Sequence, residues 1–206
     1  HFKLSSEVIY NPVEKIQKIK IKASKKVSLK FFNKDKKILK IISVGRLVKQ
    51  KNHLLLLKAV NIIKNKKKFK LLIIGKGEEK ENLESFIIKN NLQNMVKIIG
   101  YKNNIYPFFK KADLFVLTSL YEGLPNTLIE ALIMGVPIIS TNCKTGPEEI
   151  LKQGKYGKLF NVNDFKKLSQ LIHLSRIKSR KKYFYDKRFD FVLNLKKYEN
   201  LINSLK

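Results

Sequence analysis

The sequence has one cysteine, few acidic residues and no long apolar run. A single cysteine, Cys143, excludes an internal disulfide and is typical of a reducing compartment. No apolar run approaches the roughly 20 residues that a membrane-spanning helix needs, and the first residues lack a signal-peptide pattern. With 44% apolar residues, the chain is expected to be globular. It also lacks an initiator methionine and is interpreted as a piece of a longer protein.

Several catalytic patterns are missing as well. The sequence contains no G-x-S-x-G elbow and no Walker loop, so hydrolase and P-loop kinase functions lose support. His1, His53 and His173 are isolated, and no spacing of His, Cys and Asp resembles a metal site. We therefore expect no metal ion.

The charge is strongly one-sided, with 44 Lys and Arg against 16 Asp and Glu, a formal net charge of +28. Such an excess usually indicates a polyanionic partner: nucleic acid, an anionic membrane surface or a phosphorylated substrate. Lysine is spread over nearly every predicted solvent face, and arginine, which base reading prefers, is rare. General compositional bias is the favoured interpretation, an anionic membrane surface stays open, and no nucleic acid is expected.

A regular alternation of apolar strands and amphipathic helices begins at Ile38. Uninterrupted apolar strands separated by helices predict a parallel sheet covered on both faces. Residues 38–175 are therefore predicted to form a doubly wound, Rossmann-like α/β domain that binds its ligands at the carboxyl ends of the strands. The predicted strands are 39–44, 70–74, 96–99, 114–117 and 136–140, with a weak one near 159–160. The predicted helices are 52–63, 78–90, 105–110, 126–134, 147–151 and 164–174.

Two basic segments flank this domain. Residues 1–37 are expected to be a linker and lead-in, with a turn at Asn11-Pro12, and nothing in residues 14–37 suggests a core. Residues 176–206 are expected to form a helical tail, with a helix from Asp190 whose aromatic side chains cover another surface.

Residues 113–141 contain a strand, a loop, a helix and a second strand. Because Pro125 favours the first turn of a helix, the helix is expected to begin near Asn126. Glu122 is then expected at the mouth of the helix N-terminus, and Glu130 one to two turns along it. A ligand with a central phosphate and polar hydroxyls at both ends would suit this layout, because the helix N-terminus attracts anions and carboxylates accept hydrogen bonds from hydroxyls.

The loops after the first two strands carry glycines and cations. Gly45 allows a sharp departure from the first strand, and Arg46 and Lys51 follow where they could clamp a diphosphate. On composition alone, two solvated cations would be the favoured interpretation. Gly75 and Gly77 form only part of a dinucleotide fingerprint, so they predict a tight turn with close backbone approach.

Taken together, these motifs resemble the C-terminal half of a retaining glycosyltransferase of family 4, the glycosyl transferases group 1 type with the two-domain GT-B fold. The resemblance covers roughly residues 8–174 and includes SVGRLVKQKN, IIGKGEE and, above all, SLYEGLPNTLIEALIMGVPIIST followed by GPEEIL. Glu122 and Glu130, with seven residues between them, match the family's signature.

The resemblance implies roles in binding a nucleotide-sugar donor. Arg46 and Lys51 would neutralise the diphosphate in place of a metal, and the amides of Thr127 and Leu128 would bind the distal phosphate. Glu130 would accept hydrogen bonds from the ribose. The other implied positions are Glu122 with Gly123 and Leu124 at the donor sugar, Gly75 and Lys102 at the base, and Gly45 and Asn126 at the strand end and helix start.

Glu122, Arg46 and Lys51 are the implied catalytic residues, although Glu122 would orient the sugar and would not act as a covalent nucleophile. The acceptor would be deprotonated with help from a phosphate oxygen, on the face that the leaving group departs from. Pro125 stands where many relatives carry a backbone donor, so one sugar contact is not implied here.

The implied activity is hexose transfer, with UDP-linked donors favoured, to a glycan or lipid-linked acceptor in polysaccharide or lipopolysaccharide synthesis. The acceptor site would belong to an N-terminal domain that this chain does not contain, and the tail 176–206 would cross back toward it. The chain alone would then bind nucleotide weakly and transfer nothing. It would be cytoplasmic, with peripheral attachment to the membrane left open. A silent nucleotide- or polyanion-binding module and a GT-B-fold sugar-nucleotide epimerase are the alternatives.

Overall fold

A computed structural model describes residues 8–11, 13–32, 37–177 and 183–204. Six parallel strands in these ranges form one sheet with the order β3-β2-β1-β4-β5-β6. The strands are Leu39–Val44 (β1), Phe69–Ile74 (β2), Val96–Ile99 (β3), Leu114–Leu117 (β4), Ile138–Thr141 (β5) and Lys158–Phe160 (β6). The helices are Ile16–Ser24 (α1), His53–Ile63 (α2), Lys80–Lys89 (α3), Tyr106–Lys111 (α4), Asn126–Ile133 (α5), Pro147–Ile150 (α6), Phe165–Leu174 (α7) and Phe191–Ser204 (α8).

The central strands are mainly apolar because both faces of the sheet are covered, although Lys40 and Ser43 of β1 and Lys70 of β2 interrupt the apolar runs. Successive side chains of a strand point to opposite faces. Ile42 and Leu72 accordingly join one buried cluster, and their neighbours Ile41 and Leu71 join a second cluster on the other face. The first cluster includes residues of α1, α4 and α5, and the second includes residues of α2, α3 and α7. The predicted doubly wound α/β fold is confirmed, and every predicted element of residues 38–175 lies within two residues of its expected bounds.

The strand order places a crossover at the centre of the sheet. β1 pairs with β2 on one side and with β4 on the other, and Ile41 lies opposite Leu114. At the amino end of this pair, the Asp113 amide donates to the Lys40 carbonyl at 2.7 Å, and the Lys40 amide donates to the Asp113 carboxylate at 2.9 Å. In open sheets of this kind, the crevice for a ligand lies at the carboxyl ends of the strands where the order reverses.

Helix α1 is the element that the sequence does not predict. The expectation that residues 14–37 contain no core residues is wrong, because Ile19 and Ala23 of α1 and the later Phe32 are buried in the first cluster. Ile19 and Ala23 are four residues apart and therefore share one face of the helix. Lysines surround this narrow apolar face, which hides the helical period in the sequence.

We expect Ile19→Ala to lower the free energy of unfolding by about 2 kcal/mol, because it leaves a cavity beneath α1. Ile21→Ala is the matched control, since Ile21 lies in the same helix but is 64% exposed. Urea denaturation of both variants measures the difference. Equal losses would show that α1 does not contribute to the core.

The tail packs on the domain before its last helix. The Phe184 amide donates to the Ile133 carbonyl at 2.9 Å, and Phe189 is 2% exposed, with its ring 5.3 Å from that of Tyr10. Beyond this point, α8 exposes five apolar side chains, Val192, Leu193, Leu195, Leu201 and Ile202. A crossing of the tail toward a further domain stays a prediction.

Parts of two predicted segments, Pro12 of the linker turn and residues 205–206 of the tail helix, lie outside the described residues. None of the helices in the described ranges is both long enough and apolar enough to cross a bilayer.

Candidate functional site

A cleft of about 590 Å³ opens at the carboxyl ends of the central strands. Its walls come from the loops after β1, β2 and β3, from α4 and α5, and from the segment that leads into and through α1. Seven of the predicted site residues line it: Gly45, Arg46, Gly75, Lys102, Asn126, Thr127 and Glu130. The other five predicted residues, Lys51, Glu122, Gly123, Leu124 and Leu128, lie outside its lining.

The floor of the cleft depends on close backbone approach between the first two strand ends. The Gly45 amide donates to the Ile74 carbonyl at 3.0 Å, which continues the β1–β2 ladder past the end of β1. A methyl group at Gly75 would overlap the Gly45 carbonyl oxygen, and one at Gly77 would overlap the Leu47 carbonyl. The two loops can therefore meet only because both positions are glycine. The predicted tight turn after the second strand is confirmed.

The first turn of α5 presents free backbone donors at the cleft wall. Asn126 and Thr127 line the cleft, and in the described part of the chain their amides have no backbone acceptor, as expected for the first residues of a helix. The Leu128 amide differs, because it donates to the Pro125 carbonyl at 2.9 Å. Of the two amides predicted to bind phosphate, that of Thr127 is available and that of Leu128 is already engaged.

Glu130 projects from α5 into the same cleft, where the Tyr106 hydroxyl donates to its Oε1 at 3.0 Å. Burial raises the pKa of the Glu130 carboxyl, while the Tyr106 hydrogen bond and the nearby Lys22 ammonium oppose that rise. Burial also raises the pKa of Tyr106, and the Glu130 charge raises it further, so the phenol keeps its proton and remains a donor. One carboxylate oxygen is thus occupied, and Glu130 can accept further hydrogen bonds through the other.

Glu122 and Lys51 form a buried ion pair beside the cleft. Lys51 Nζ lies 2.5 Å from Glu122 Oε1, and the Ser119 hydroxyl donates to the same oxygen at 2.5 Å. The lysine and glutamate side chains are 15% and 6% exposed. The sequence predicts that Lys51 and Arg46 project together toward a ligand. The structure places only Arg46 at the cleft, exposed, with its guanidinium 3.2 Å from the Gln50 side chain.

The loop that carries Glu122 is held from two sides. The Gln50 side chain donates to the Tyr121 carbonyl at 2.9 Å, and the Thr145 hydroxyl donates to the Glu122 carbonyl. Gly146, at φ +83°, approaches so closely that a methyl group there would overlap the Gly123 carbonyl. The loop is therefore fixed by the segments that follow β1 and β5, immediately before the free amides of α5.

Sequence reasoning missed the residues that border the cleft opposite α5. The sequence predicts only a basic lead-in for the segment that contains Glu14 and Lys22, yet both line the cleft, with Lys22 Nζ 2.5 Å from a Glu14 oxygen. Tyr106 fell inside a correctly predicted helix, but no motif singled it out. No strong sequence signal could have found these residues, because the helical period of α1 is weak and nothing in the sequence links Tyr106 to Glu130.

His53 is buried outside the cleft lining, where it packs as a neutral side chain. Its Nδ1 lies 3.3 Å from the Ser43 hydroxyl, and burial lowers its pKa to about 4, so the ring is neutral near pH 7. In the described ranges, no group of three or more His, Cys, Asp and Glu side chains could hold a metal ion.

The family model and two relatives that match this chain are all described as glycosyltransferases. A model of the family described as glycosyl transferases group 1 matches residues 24–185. An uncharacterized glycosyltransferase of Methanocaldococcus jannaschii is 40% identical over 155 residues, which cover 73% of this chain and 38% of that protein. The N-acetylgalactosamine-N,N'-diacetylbacillosaminyl-diphospho-undecaprenol 4-alpha-N-acetylgalactosaminyltransferase of Campylobacter jejuni is 36% identical over 158 residues, covering 77% of this chain and 40% of that enzyme.

Solved structures share the fold. The crystal structure of Anabaena HepE in complex with UDP-glucose superposes with a TM-score of 0.78 over 96% of this chain and 57% of that chain, at 22% sequence identity. The present chain spans about two fifths of the length of the two curated relatives described above.

Proposed function

Since this chain belongs to the glycosyl transferases group 1 family and has the fold of one half of a GT-B glycosyltransferase, we propose that it binds the nucleotide-sugar donor. The whole protein would transfer a hexose from that donor with retention of configuration at the anomeric carbon. The observation that carries this proposal is the cleft at the β1–β4 crossover, where a cation, free helix amides and a carboxylate line one space.

The cleft offers complementary groups to each part of a nucleoside diphosphate. Arg46 and the Asn126 and Thr127 amides can hold the phosphates, because a guanidinium and a helix N-terminus both favour anions. Glu130 can accept hydrogen bonds from ribose hydroxyls through the oxygen that Tyr106 leaves unoccupied. The base would extend toward Gly75 and Lys102.

The proposed chemistry is breakage of the bond between the anomeric carbon and the diphosphate oxygen. Negative charge then develops on the departing nucleoside diphosphate, and donors fixed in advance stabilise it without reorganisation. Arg46 and Lys51 would supply this positive charge in place of a metal. Lys51 would do so beside the cleft while it remains close to Glu122.

Glu122 is assigned an orienting role toward the donor sugar. Its Oε1 is already shared by Lys51 and Ser119, which suits a group that holds a position better than one that forms and breaks a covalent bond. Gly123 and Leu124 follow it in the same fixed loop and would present their amides to the sugar. The incoming acceptor would lose its proton to a phosphate oxygen on the face from which the leaving group departs.

The choice of nucleotide and of acceptor follows the names of two similar proteins. UDP is the first nucleotide to test, because Anabaena HepE was crystallised with UDP-glucose. The Campylobacter enzyme is named for an undecaprenol diphosphate-linked acceptor. We propose that the whole protein also uses a lipid-linked or glycan acceptor, and that a domain outside this chain binds that acceptor. Attraction of the +28 chain to an anionic membrane surface is part of the same proposal.

Titration of the chain with UDP and with inorganic pyrophosphate tests the proposed function. A donor domain is expected to gain more thermal stability from UDP than from an equal concentration of pyrophosphate, because only UDP offers ribose and base. The high positive charge favours one competing function, a polyanion-binding module without catalysis. Equal stabilisation by the two ligands would support that module and contradict ours.

Glu130→Ala is expected to weaken UDP binding about tenfold or more, because the ribose loses a charged acceptor. Isothermal titration calorimetry at low salt measures the dissociation constants. Glu84→Ala is the matched control, since the Glu84 side chain on α3 is 45% exposed and lies outside the cleft lining. The UDP affinity of this variant should stay within twofold of that of the unaltered chain. Unchanged affinity in Glu130→Ala would remove Glu130 from the site.

A further inference from the structure

Tyr106 is the first residue of α4 and lies at the wall of the cleft with 5% of its surface exposed. Its hydroxyl donates to Glu130 at 3.0 Å. We propose that Tyr106 is a positioning residue, which holds one oxygen of the Glu130 carboxylate and so directs the other oxygen toward the ribose. This inference rests on the proposed function, because it assumes that Glu130 binds a nucleotide there.

Tyr106 is itself held in place by its neighbours. Its amide donates to the Asn104 side-chain oxygen at 3.3 Å, and the Asn104 side-chain nitrogen donates to the Lys22 carbonyl at 2.9 Å. Asn104 therefore joins the start of α4 to α1. A phenol anchored in this way can hold one carboxylate oxygen of Glu130 and direct the other into the cleft.

The charge of Glu130 depends on the groups around its carboxyl. Two groups act on this carboxyl from the packed elements: Tyr106 of α4 and Lys22 of α1. Glu14, just before α1, lines the same cleft and is paired with Lys22, and its charge acts on Tyr106. Arg46, Lys76 and Lys102 also line the cleft from the loops.

Burial raises the pKa of Glu130, and the hydrogen bond from Tyr106 works against it. The ionised carboxylate is a stronger acceptor for ribose hydroxyls than the protonated carboxyl, which accepts mainly through its carbonyl oxygen. Nucleotide affinity is therefore expected to be highest above the pKa of Glu130 and to fall as the pH drops through it. Loss of the Tyr106 hydroxyl removes a group that favours the ionised form, so the fall should begin at a higher pH.

The test compares the unaltered chain with Tyr106→Phe. UDP affinity is measured by calorimetry from pH 5 to pH 8, and the ionisation of the Glu130 carboxyl is followed by carbon-13 NMR in the ligand-free chain. Near pH 7 the variant is expected to bind UDP about threefold to tenfold more weakly. Its affinity profile and its Glu130 titration should both move to higher pH. The ionisation of UDP is common to both proteins and cancels in their ratio.

Two further variants separate positioning from general damage. Tyr185→Phe is the matched control, because that hydroxyl also donates to a carboxylate, Asp190 at 3.0 Å, away from the cleft. It should leave UDP affinity and the Glu130 titration unchanged. In a Glu130→Ala background, which leaves no acceptor for the phenol, Tyr106→Phe should cause no further loss of affinity and no shift with pH.

Each outcome has a separate meaning. A Glu130 titration that does not move in Tyr106→Phe overturns the inference, and so does an additional affinity loss in the Glu130→Ala background. If the titration moves but the unaltered chain does not bind UDP, the proposed function fails, and the ribose role of Tyr106 fails with it. A folded Tyr106→Phe variant is verified by its urea midpoint before either measurement.

Discussion

Gly75→Ala is expected to lower the free energy of unfolding by about 3 kcal/mol or more. Gly75 directly follows β2, between the ends of β1 and β3, and its amide donates to the Ile99 carbonyl at 3.0 Å. The added methyl group would overlap the backbone carbonyl oxygen of Gly45. A backbone atom cannot rotate away as a side chain can, so the β1 and β2 ends would have to separate. Urea denaturation gives the loss directly.

Gly100→Ala is the matched control for that variant. Gly100 directly follows β3, as Gly75 follows β2, but a methyl group there would meet no atom within 4 Å. Its effect on stability should be within about 0.5 kcal/mol. UDP binding provides a second comparison, since only Gly75→Ala should distort the cleft floor. Similar losses in the two variants would contradict the packing argument.

Glu122→Gln is expected to lower the free energy of unfolding by about 3 kcal/mol, because it leaves Lys51 charged, largely buried and without its carboxylate. The new amide can still accept from Ser119, so the loss reports mainly on the lysine. Lys51→Met leaves Glu122 with the Ser119 hydroxyl and should also destabilise the chain, by a smaller amount.

The double variant, Lys51→Met with Glu122→Gln, shows whether the two side chains stabilise the fold together or independently. It should lose less stability than the sum of the two single variants, because neither buried charge remains. Urea denaturation at low and high salt measures all four proteins, and the coupling should change little with salt because both groups are shielded from solvent. Additive losses would show that the short contact does not stabilise the fold.

The sheet could be predicted from the sequence because its signals are local. The run Leu114–Leu117 is apolar along its whole length, Leu39–Val44 departs from this only at Lys40 and Ser43, and a glycine or a polar residue ends each run. This pattern identifies parallel strands that are covered on both faces, and it does so without giving their order in the sheet. The family resemblance then brought Arg46, Thr127 and Glu130 to one edge, and the structure places all three at the same cleft.

The remaining features depend on contacts between distant residues. Lys51 and Glu122 are 71 residues apart, and nothing near either one indicates that they bond to each other. Tyr106 and Glu130 meet only because α4 and α5 face the same cleft. Helix α1 was missed for a different reason, since two buried residues among many lysines give too weak a period. Partners of this kind are set by tertiary packing, which local pattern does not record.

The strand order also bears on how the chain assembles during synthesis. β1, β2 and β3 follow one another in the chain and occupy one half of the sheet, so they can pair as soon as each leaves the ribosome. Pairing of β1 with β4 comes later, because the hydrogen bonds at the start of this pair join Lys40 to Asp113, which lies 73 residues further along the chain. Until then, the edge of β1 that later pairs with β4 stays open, and a nascent chain paused at this point would expose that edge to other unfolded chains.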